Sequence, residues 1–260
     1  MITRVNYEAC PFCGREEFST FLTADCSGHP LYKAELEPLI TWCQCSSCEH
    51  VFTSGYLSDE AVRLVFSNTH AHQQVGFDLE QQRLVASRMI ERILPYAKLG
   101  AWLDVGFGNG NLLFTAAEYG FTPLGIDLRP VNVAVMRRLG IEAHAQEVSE
   151  LDAFGQFAVV SMADVLEHMP YPGKALRSVH ALLADGGILF LSMPNSDSML
   201  WTSLSLSNEN PYWGELEHYH NFGRKRLYTL LAECGYHSIG YGVSERYRCG
   251  MEIVARMIEG

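Results

Sequence analysis

The 260-residue sequence has no run of about 18 apolar residues, the length a helix needs to cross a bilayer, so no segment reads as a membrane span. Its first residues, Met1-Ile-Thr-Arg-Val-Asn-Tyr-Glu, lack the apolar core of a secretory signal, and the expected location is cytoplasmic. Positive charge is scarce as well: 19 Lys and Arg stand against 30 Asp and Glu, a net charge of -11. A surface so acidic repels phosphates at long range, and no basic cluster is dense enough to offset it, so a nucleic-acid partner is not expected. A disulfide framework is not expected either. The cysteines include two Cys-x-x-Cys pairs in a chain that reads as cytosolic, which favours metal over disulfides.

What is present suits a globular fold of one large or two unequal domains, with 48% hydrophobic residues. The organising stretch is Trp102-Leu-Asp104-Val-Gly106-Phe107-Gly108-Asn-Gly110-Asn111. Ala101 to Val105 reads as a buried strand, the glycines as a tight turn, and Leu112 to Tyr119 as a helix. Strand, glycine turn and helix open a nucleotide-binding α/β unit, in which glycine lets main chain approach a ligand. A dinucleotide fingerprint wants its last glycine where Asn111 stands, and a carboxylate at Asp104 would repel a pyrophosphate. A ligand bearing positive charge suits Asp104 better.

The first 57 residues read as a metal-bound segment. Cys10-Pro-Phe-Cys13-Gly14 and Cys45-Ser-Ser-Cys48 are knuckles whose thiolates can converge on one tetrahedral zinc with no open position, a structural site. Cys43 competes with Cys45 for the fourth place, and Cys26 lies in the gap. Free core thiols or a redox pair are the plain alternatives. Ser58-Asp-Glu caps a short helix, His70 and His72 read as a solvated loop, and Leu84, Met89, Ile90 and Ile93 share a helix face over Leu79–Leu94. This 58–95 segment is expected to lead into, and cover, the sheet of a 96–260 domain.

Within 96–260, strands are expected at Thr122–Ile126, Ile141–Ala145, Phe157–Met162 and Ile188–Ser192, with helices at Pro130–Leu139, Pro172–Leu183 and Arg224–Cys234. His237–Glu245 and Met251–Met257 would close the sheet as an antiparallel hairpin. The whole is a Rossmann-like, doubly wound α/β sheet, mostly parallel, with an antiparallel last strand and a small N-terminal zinc ribbon. Asp127 ends the second strand about 20 residues past the glycines, where a carboxylate accepts hydrogen bonds from ribose hydroxyls; a helix cap is its plain alternative. Ser196–Asn221, rich in Ser, Asn and aromatic residues, reads as an irregular loop suited to a lid.

The glycine stretch resembles the first motif of class I S-adenosylmethionine-dependent methyltransferases. Asp164-Val-Leu-Glu167-His168 resembles their fourth-strand motif, as in ubiquinone-type enzymes, and Leu182-Leu-Ala-Asp-Gly-Gly-Ile-Leu-Phe-Leu-Ser-Met-Pro-Asn195 their fifth-strand region. The resemblance implies a donor site of Asp104, Gly106, Phe107, Gly108, Gly110, Asp127, Leu128, Glu147, Val148, Met162, Ala163 and Asp164. In it, Glu147 meets the adenine amino group and the Val148 amide a ring nitrogen. With the cysteine knuckles and Glu217-His218-Tyr-His220-Asn-Phe222, the chain looks like bacterial zinc-ribbon methyltransferases acting on sugars, glycans or metabolites.

The implied activity is methyl transfer from S-adenosylmethionine to a small-molecule or glycan acceptor, at oxygen, with a histidine general base. His218 is first choice as base with Glu217 orienting it; His168 and His220 come second. Nucleotide-sugar C-methyltransferases share the outline, but they carry Tyr where Glu215 stands and continue into a large C-terminal domain. C-methylation, or a non-catalytic zinc-ribbon module that binds coenzyme, are the competing readings.

Overall fold

The computed structural model describes residues 4–66, 71–152, 155–246 and 249–258; His70 lies outside them. In chain order the strands are β1 (Arg4–Asn6), β2 (Phe18–Asp25), β3 (Leu39–Cys45), β4 (Val51–Thr53) and β5 (Gly55–Leu57), followed by helices α1 (Asp59–Val65) and α2 (Leu79–Ile93). Then come β6 (Ala101–Val105), α3 (Asn111–Glu118), β7 (Thr122–Ile126), α4 (Pro130–Arg138), β8 (Glu142–His144), β9 (Phe157–Ala163), α5 (Pro172–Leu182) and β10 (Leu183–Pro194). The chain ends with α6 (Met199–Leu206), β11 (His220–Asn221), α7 (Arg224–Glu233), β12 (Tyr236–Val243) and β13 (Gly250–Met257).

These elements form two compact units, each discontinuous in sequence. The first takes 1–68, 167–172 and 194–227; the second takes 69–166, 173–193 and 228–260.

In the second unit, seven of the described strands form one sheet in the order β12-β13-β10-β9-β6-β7-β8. The β10–β9, β9–β6, β6–β7 and β7–β8 pairs are parallel, and β12–β13 is antiparallel. The fold class expected from sequence is the fold observed. Strand order reverses beside β6, whose successor β7 lies on one side while β9 lies on the other, and ligands of open α/β sheets bind at the carboxyl ends flanking such a switch. One core cluster joins α2, α3 and the sheet through Met89, Ile90, Ile93, Trp102, Leu113 and Phe190. Leu84, expected on that buried face, is 57% exposed, because the stripe begins only at Ala86. Pro95 follows α2 closely and stops it.

Trp102 is fully buried and donates through Nε1 to Ser161 Oγ at 2.8 Å. Trp102→Phe removes that donor and part of the indole volume, so a loss of about 1–3 kcal/mol in a denaturant titration is expected. An unchanged midpoint would show the site relaxes freely.

In the first unit, antiparallel β2, β3, β4 and β11 form a four-stranded sheet in the order β11-β4-β3-β2, and β1 pairs with β5. Ser58 caps α1 as expected, its Oγ accepting from Ala61 N at 3.3 Å. The segment 196–221, expected as an irregular loop, instead holds α6, a single turn at Pro211–Gly214 and β11. Two of its aromatic residues, Trp213 and Tyr219, join the core: Trp42 donates through Nε1 to Trp213 O at 2.9 Å, and the two indoles meet edge to face, centroids 5.4 Å apart. No helix among the described residues is long and apolar enough to cross a membrane.

Candidate functional site

At the carboxyl end of β6 the chain turns through three residues of left-handed backbone, Gly106 (φ +67°), Gly108 (+53°) and Gly110 (+76°), before α3 begins. Glycine is required there twice over at Gly106, where a Cβ would come within 2.7 Å of Val165 Cγ2. Gly106 N donates to Ile126 O (2.7 Å), tying the turn to β7. Phe107 is buried beneath it.

Asp127, at the end of β7, is buried and already engaged. Its Oδ2 accepts from Gly108 N (3.0 Å), its Oδ1 from Arg129 N (2.8 Å), and the Arg129 guanidinium lies 3.3 Å from both oxygens. Arg129 also donates to Gln73 Oε1 (2.9 Å). Gln73 belongs to a segment before α2 that is laid across the glycine turn. Asn132 Nδ2 donates to Gln73 O (2.8 Å) and Gly108 O (2.9 Å), Asn109 Nδ2 to His72 O (3.2 Å), Gly76 N to Asn109 O (3.0 Å) and Asn111 Nδ2 to Phe77 O (3.1 Å). The His72 side chain is exposed as expected, but its backbone is part of this strap rather than free loop. Sequence reading passed over Gln73, Arg129 and Asn132, because contacts more than 50 residues apart leave no local pattern.

Asp104 sits inside β6 at 3% exposure. Ser161 Oγ donates to its Oδ1 at 2.6 Å. Burial pushes this carboxyl up to about 7, against the pull of the Ser161 hydrogen bond and of Arg246. Beyond β9, Asp164 adopts φ +57° and pairs with Arg246 at 3.1 Å. Met162 is buried, Ala163 half-buried and Leu128 exposed. Glu147 is exposed and caps the short turn Val148–Glu150 in a reciprocal capping box with Glu150, while Val148 is buried.

The first unit brings together two further groups. Cys10, Cys13, Cys45 and Cys48 place their sulfurs all within 4.8 Å of one another, with Cys10–Cys48 at 3.7 Å and Cys13–Cys45 at 3.6 Å. Tetrahedral zinc with thiolate bonds of about 2.3 Å needs sulfurs roughly 3.8 Å apart. The two knuckles repeat one design. Gly14 N donates to Cys10 O and Glu49 N to Cys45 O, both at 2.9 Å, and Gly14 (φ +72°) and Glu49 (φ +60°) are both left-handed. Cys43 stays outside the cluster, 3.9 Å from Thr20 Oγ1, and Cys26 contacts Glu37 O.

The second group is Glu167, His168 and His218. The His168 and His218 rings meet edge to face, centroids 4.6 Å apart. His168 Nδ1 donates to Glu217 O (3.0 Å), which leaves its lone pair on Nε2. The expected support from Glu217 thus comes through its carbonyl and reaches His168 rather than His218. Burial, then the fields of His168 and His29, hold His218 well below the ordinary imidazole range, so it is neutral at pH 7. Tyr212 stacks on His218 (6.4 Å, 22°) and on Trp201 (5.1 Å, 17°). Glu215 pairs with His29 at 2.8 Å. His220 is engaged on both nitrogens, with His50 (3.0 Å) and Met169 O (2.9 Å), and so serves the β4–β11 edge rather than a proton.

A glycine turn at the switch point of a parallel sheet, with one carboxylate before it and another at the next strand's end, defines a nucleoside-binding α/β protein. Residues 77–239 match the model of a methyltransferase-domain family. The chain belongs to that family, the class I S-adenosylmethionine-dependent methyltransferases. It is 36% identical over 102 residues to a ubiquinone biosynthesis O-methyltransferase of Pseudomonas paraeruginosa, covering 36% of this chain and 44% of the relative. To the enzyme of the same name in Xanthomonas oryzae pv. oryzae it is 40% identical over 101 residues, covering 36% and 42%. The chain therefore spans less than half the length of these curated relatives. Among solved structures, the 1,6-didemethyltoxoflavin-N1-methyltransferase of Burkholderia thailandensis superposes with a TM-score of 0.59 at 19% identity, covering 83% of this chain and 99% of that one. Magnesium protoporphyrin IX methyltransferase of Synechocystis PCC 6803 gives 0.55 at 17% identity, covering 68% and 83%. At such identities the likeness is one of fold.

Proposed function

We propose that the protein transfers a methyl group from S-adenosylmethionine to a hydroxyl of a small-molecule or glycan acceptor in the cytoplasm, with a histidine taking the proton. The observation that carries this reading is the glycine turn closed on Asp127 in a chain of the methyltransferase family. The names of the curated relatives favour oxygen as the acceptor atom. When bound, the donor supplies a methyl already activated by its sulfonium.

The chain's own residues hold and orient. Main chain at Gly106, Gly108 and Gly110, over Phe107, lets the methionine part approach closely. Asp104 and Asp164 offset the donor's positive charge, beside Met162 and Ala163. Asp127, with Leu128 next to it, receives the ribose, displacing part of the Arg129 contact, and Glu147 and Val148 flank the adenine. His218 accepts the acceptor's proton, with His168 beside it and Glu217 fixing the tautomer of that neighbour. Cys10, Cys13, Cys45 and Cys48 hold a structural zinc in the 1–57 segment, where a reducing compartment keeps thiolates available.

Calorimetric titration with S-adenosylhomocysteine and, separately, NAD tests the donor assignment. One-to-one binding of the first alone is expected, weakened roughly 100-fold in Asp127→Ala, which removes a charge-assisted acceptor. Tighter binding of NAD would sink the reading. Donor affinity should also depend on pH through Asp104. Its proton leaves as pH rises through about 7, so the cationic donor gains an opposite charge and binds more tightly at pH 8 than at pH 6. Asp104→Asn should flatten that dependence; a slope that survives the substitution would assign it elsewhere.

A further inference from the structure

We propose that Glu167, His168 and His218 also form a binding site for a divalent transition-metal ion, separate from the four-cysteine cluster. Each offers one ligand atom, and the three atoms lie within 4.8 Å of one another. Ligands with bonds of about 2.1 Å are roughly 3.4 Å apart at the tetrahedral angle and about 4.2 Å apart on opposite sides of the ion, so side-chain rotations of about an ångström complete the site. Glu167 is 1% exposed and His218 8% exposed, and His218 Nδ1 is buried with no hydrogen-bond partner among the described residues.

His168 carries the arrangement that orients metal-ligating histidines, one ring N–H on a backbone carbonyl (Glu217 O, 3.0 Å) and the lone pair on the other nitrogen. The backbone on both sides is pinned as well, since Tyr219 N donates to Glu167 O at 2.9 Å. Two imidazoles and one carboxylate select manganese, iron, cobalt, nickel or zinc over calcium and magnesium, which prefer all-oxygen shells. Three protein ligands leave coordination positions open for oxygens of a bound molecule. The thiolate cluster, by contrast, is filled by protein alone.

The consequence for regulation rests on the reading above, in which a histidine of this group takes the acceptor's proton. Proton and metal use the same imidazole lone pairs, so an occupied site has no base, and the ion switches methyl transfer off.

The test is a visible-absorption titration of the full-length protein, first given one equivalent of zinc to fill the thiolate cluster, with Co²⁺. The expected result is one Co²⁺ per chain, with d–d bands and no thiolate-to-cobalt charge-transfer band. Glu167→Gln and His168→Gln should each weaken binding roughly tenfold or more while keeping S-adenosylhomocysteine affinity. The donor titration shows that each variant is folded, and either variant alone decides the matter. No saturable Co²⁺ binding, a thiolate band only, or unchanged affinity in a folded variant overturns the proposal. The two readings fail separately. Loss of turnover in His218→Ala without Co²⁺ binding by the parent leaves the base and removes the metal. Co²⁺ binding by the parent with full turnover in His218→Ala does the reverse.

Discussion

Stripping the metal from the four-cysteine cluster is expected to unfold the two cysteine knuckles and the strand ends that carry them. On the knuckle side the core is small: Tyr7, Cys10, Cys43, Cys45, Cys48 and Phe52 are its buried members, so the thiols are most of it, whereas Ile40 and Trp42 of β3 belong to a larger cluster. A core of that size does not offset the entropy of ordering the chain around it. Structural zinc supplies about 10–16 kcal/mol of apparent binding free energy in isolated finger peptides, more than most domains possess in total. Cys48→Ser, or a strong chelator, should therefore abolish the dispersed amide signals of the 10–14 and 45–50 turns, while those of Ile40 and Trp42 in β3 persist. Cys43→Ser is the matched control. It is buried too, at 2% exposure against 9% for Cys48, but lies outside the cluster, and should cost only about 1–2 kcal/mol. Zinc content should be one per chain lower in Cys48→Ser than in the parent and the control. Equal behaviour of the two variants would show the cluster to be a set of ordinary core thiols.

His218→Ala is expected to lower turnover by about 100- to 10,000-fold, the usual worth of a positioned general base, with the donor's dissociation constant unchanged. The separation of effects follows from placement: the glycine turn and its carboxylates belong to one compact unit, and His218 to the other. His168→Ala should cost less in turnover. It also releases the Glu217 carbonyl from its hydrogen bond. Rescue of His218→Ala by added imidazole would mark proton transfer rather than packing as the lost function. Full turnover without His218 would move the base to another residue.

Sheet and helices were legible because each is written locally. Thr122–Ile126 is a short run followed at once by Asp127, Ser58 precedes an acidic first turn, and Pro95 stops α2. The knuckles were legible for the same reason, since thiols three apart with a left-handed residue after them need no distant partner. The composition of the first unit was not legible. β11 has two residues, His220 and Asn221, and their partners Phe52 and Val51 lie about 170 positions earlier. Nothing in so short a stretch announces a strand, and the surrounding Ser- and Asn-rich text reads as loop. The contact that Glu217 makes was not legible for a related reason. A sequence displays side chains, whereas the group that engages His168 is a backbone carbonyl, which any residue could have supplied.

The order β11-β4-β3-β2 has a consequence for synthesis. The residues that open the first unit leave the ribosome early, yet the strand that covers the edge of β4 is made only after the whole run of parallel strands from β6 to β10. For about ten seconds or more at ordinary elongation rates, the nascent chain carries an uncovered β edge. The unit that begins first thus stays open until its last segment, 194–227, is made, and its cysteines are available to capture zinc throughout that interval. Metal supply during translation, more than during refolding of the finished chain, should then govern how much correctly folded protein a cell obtains.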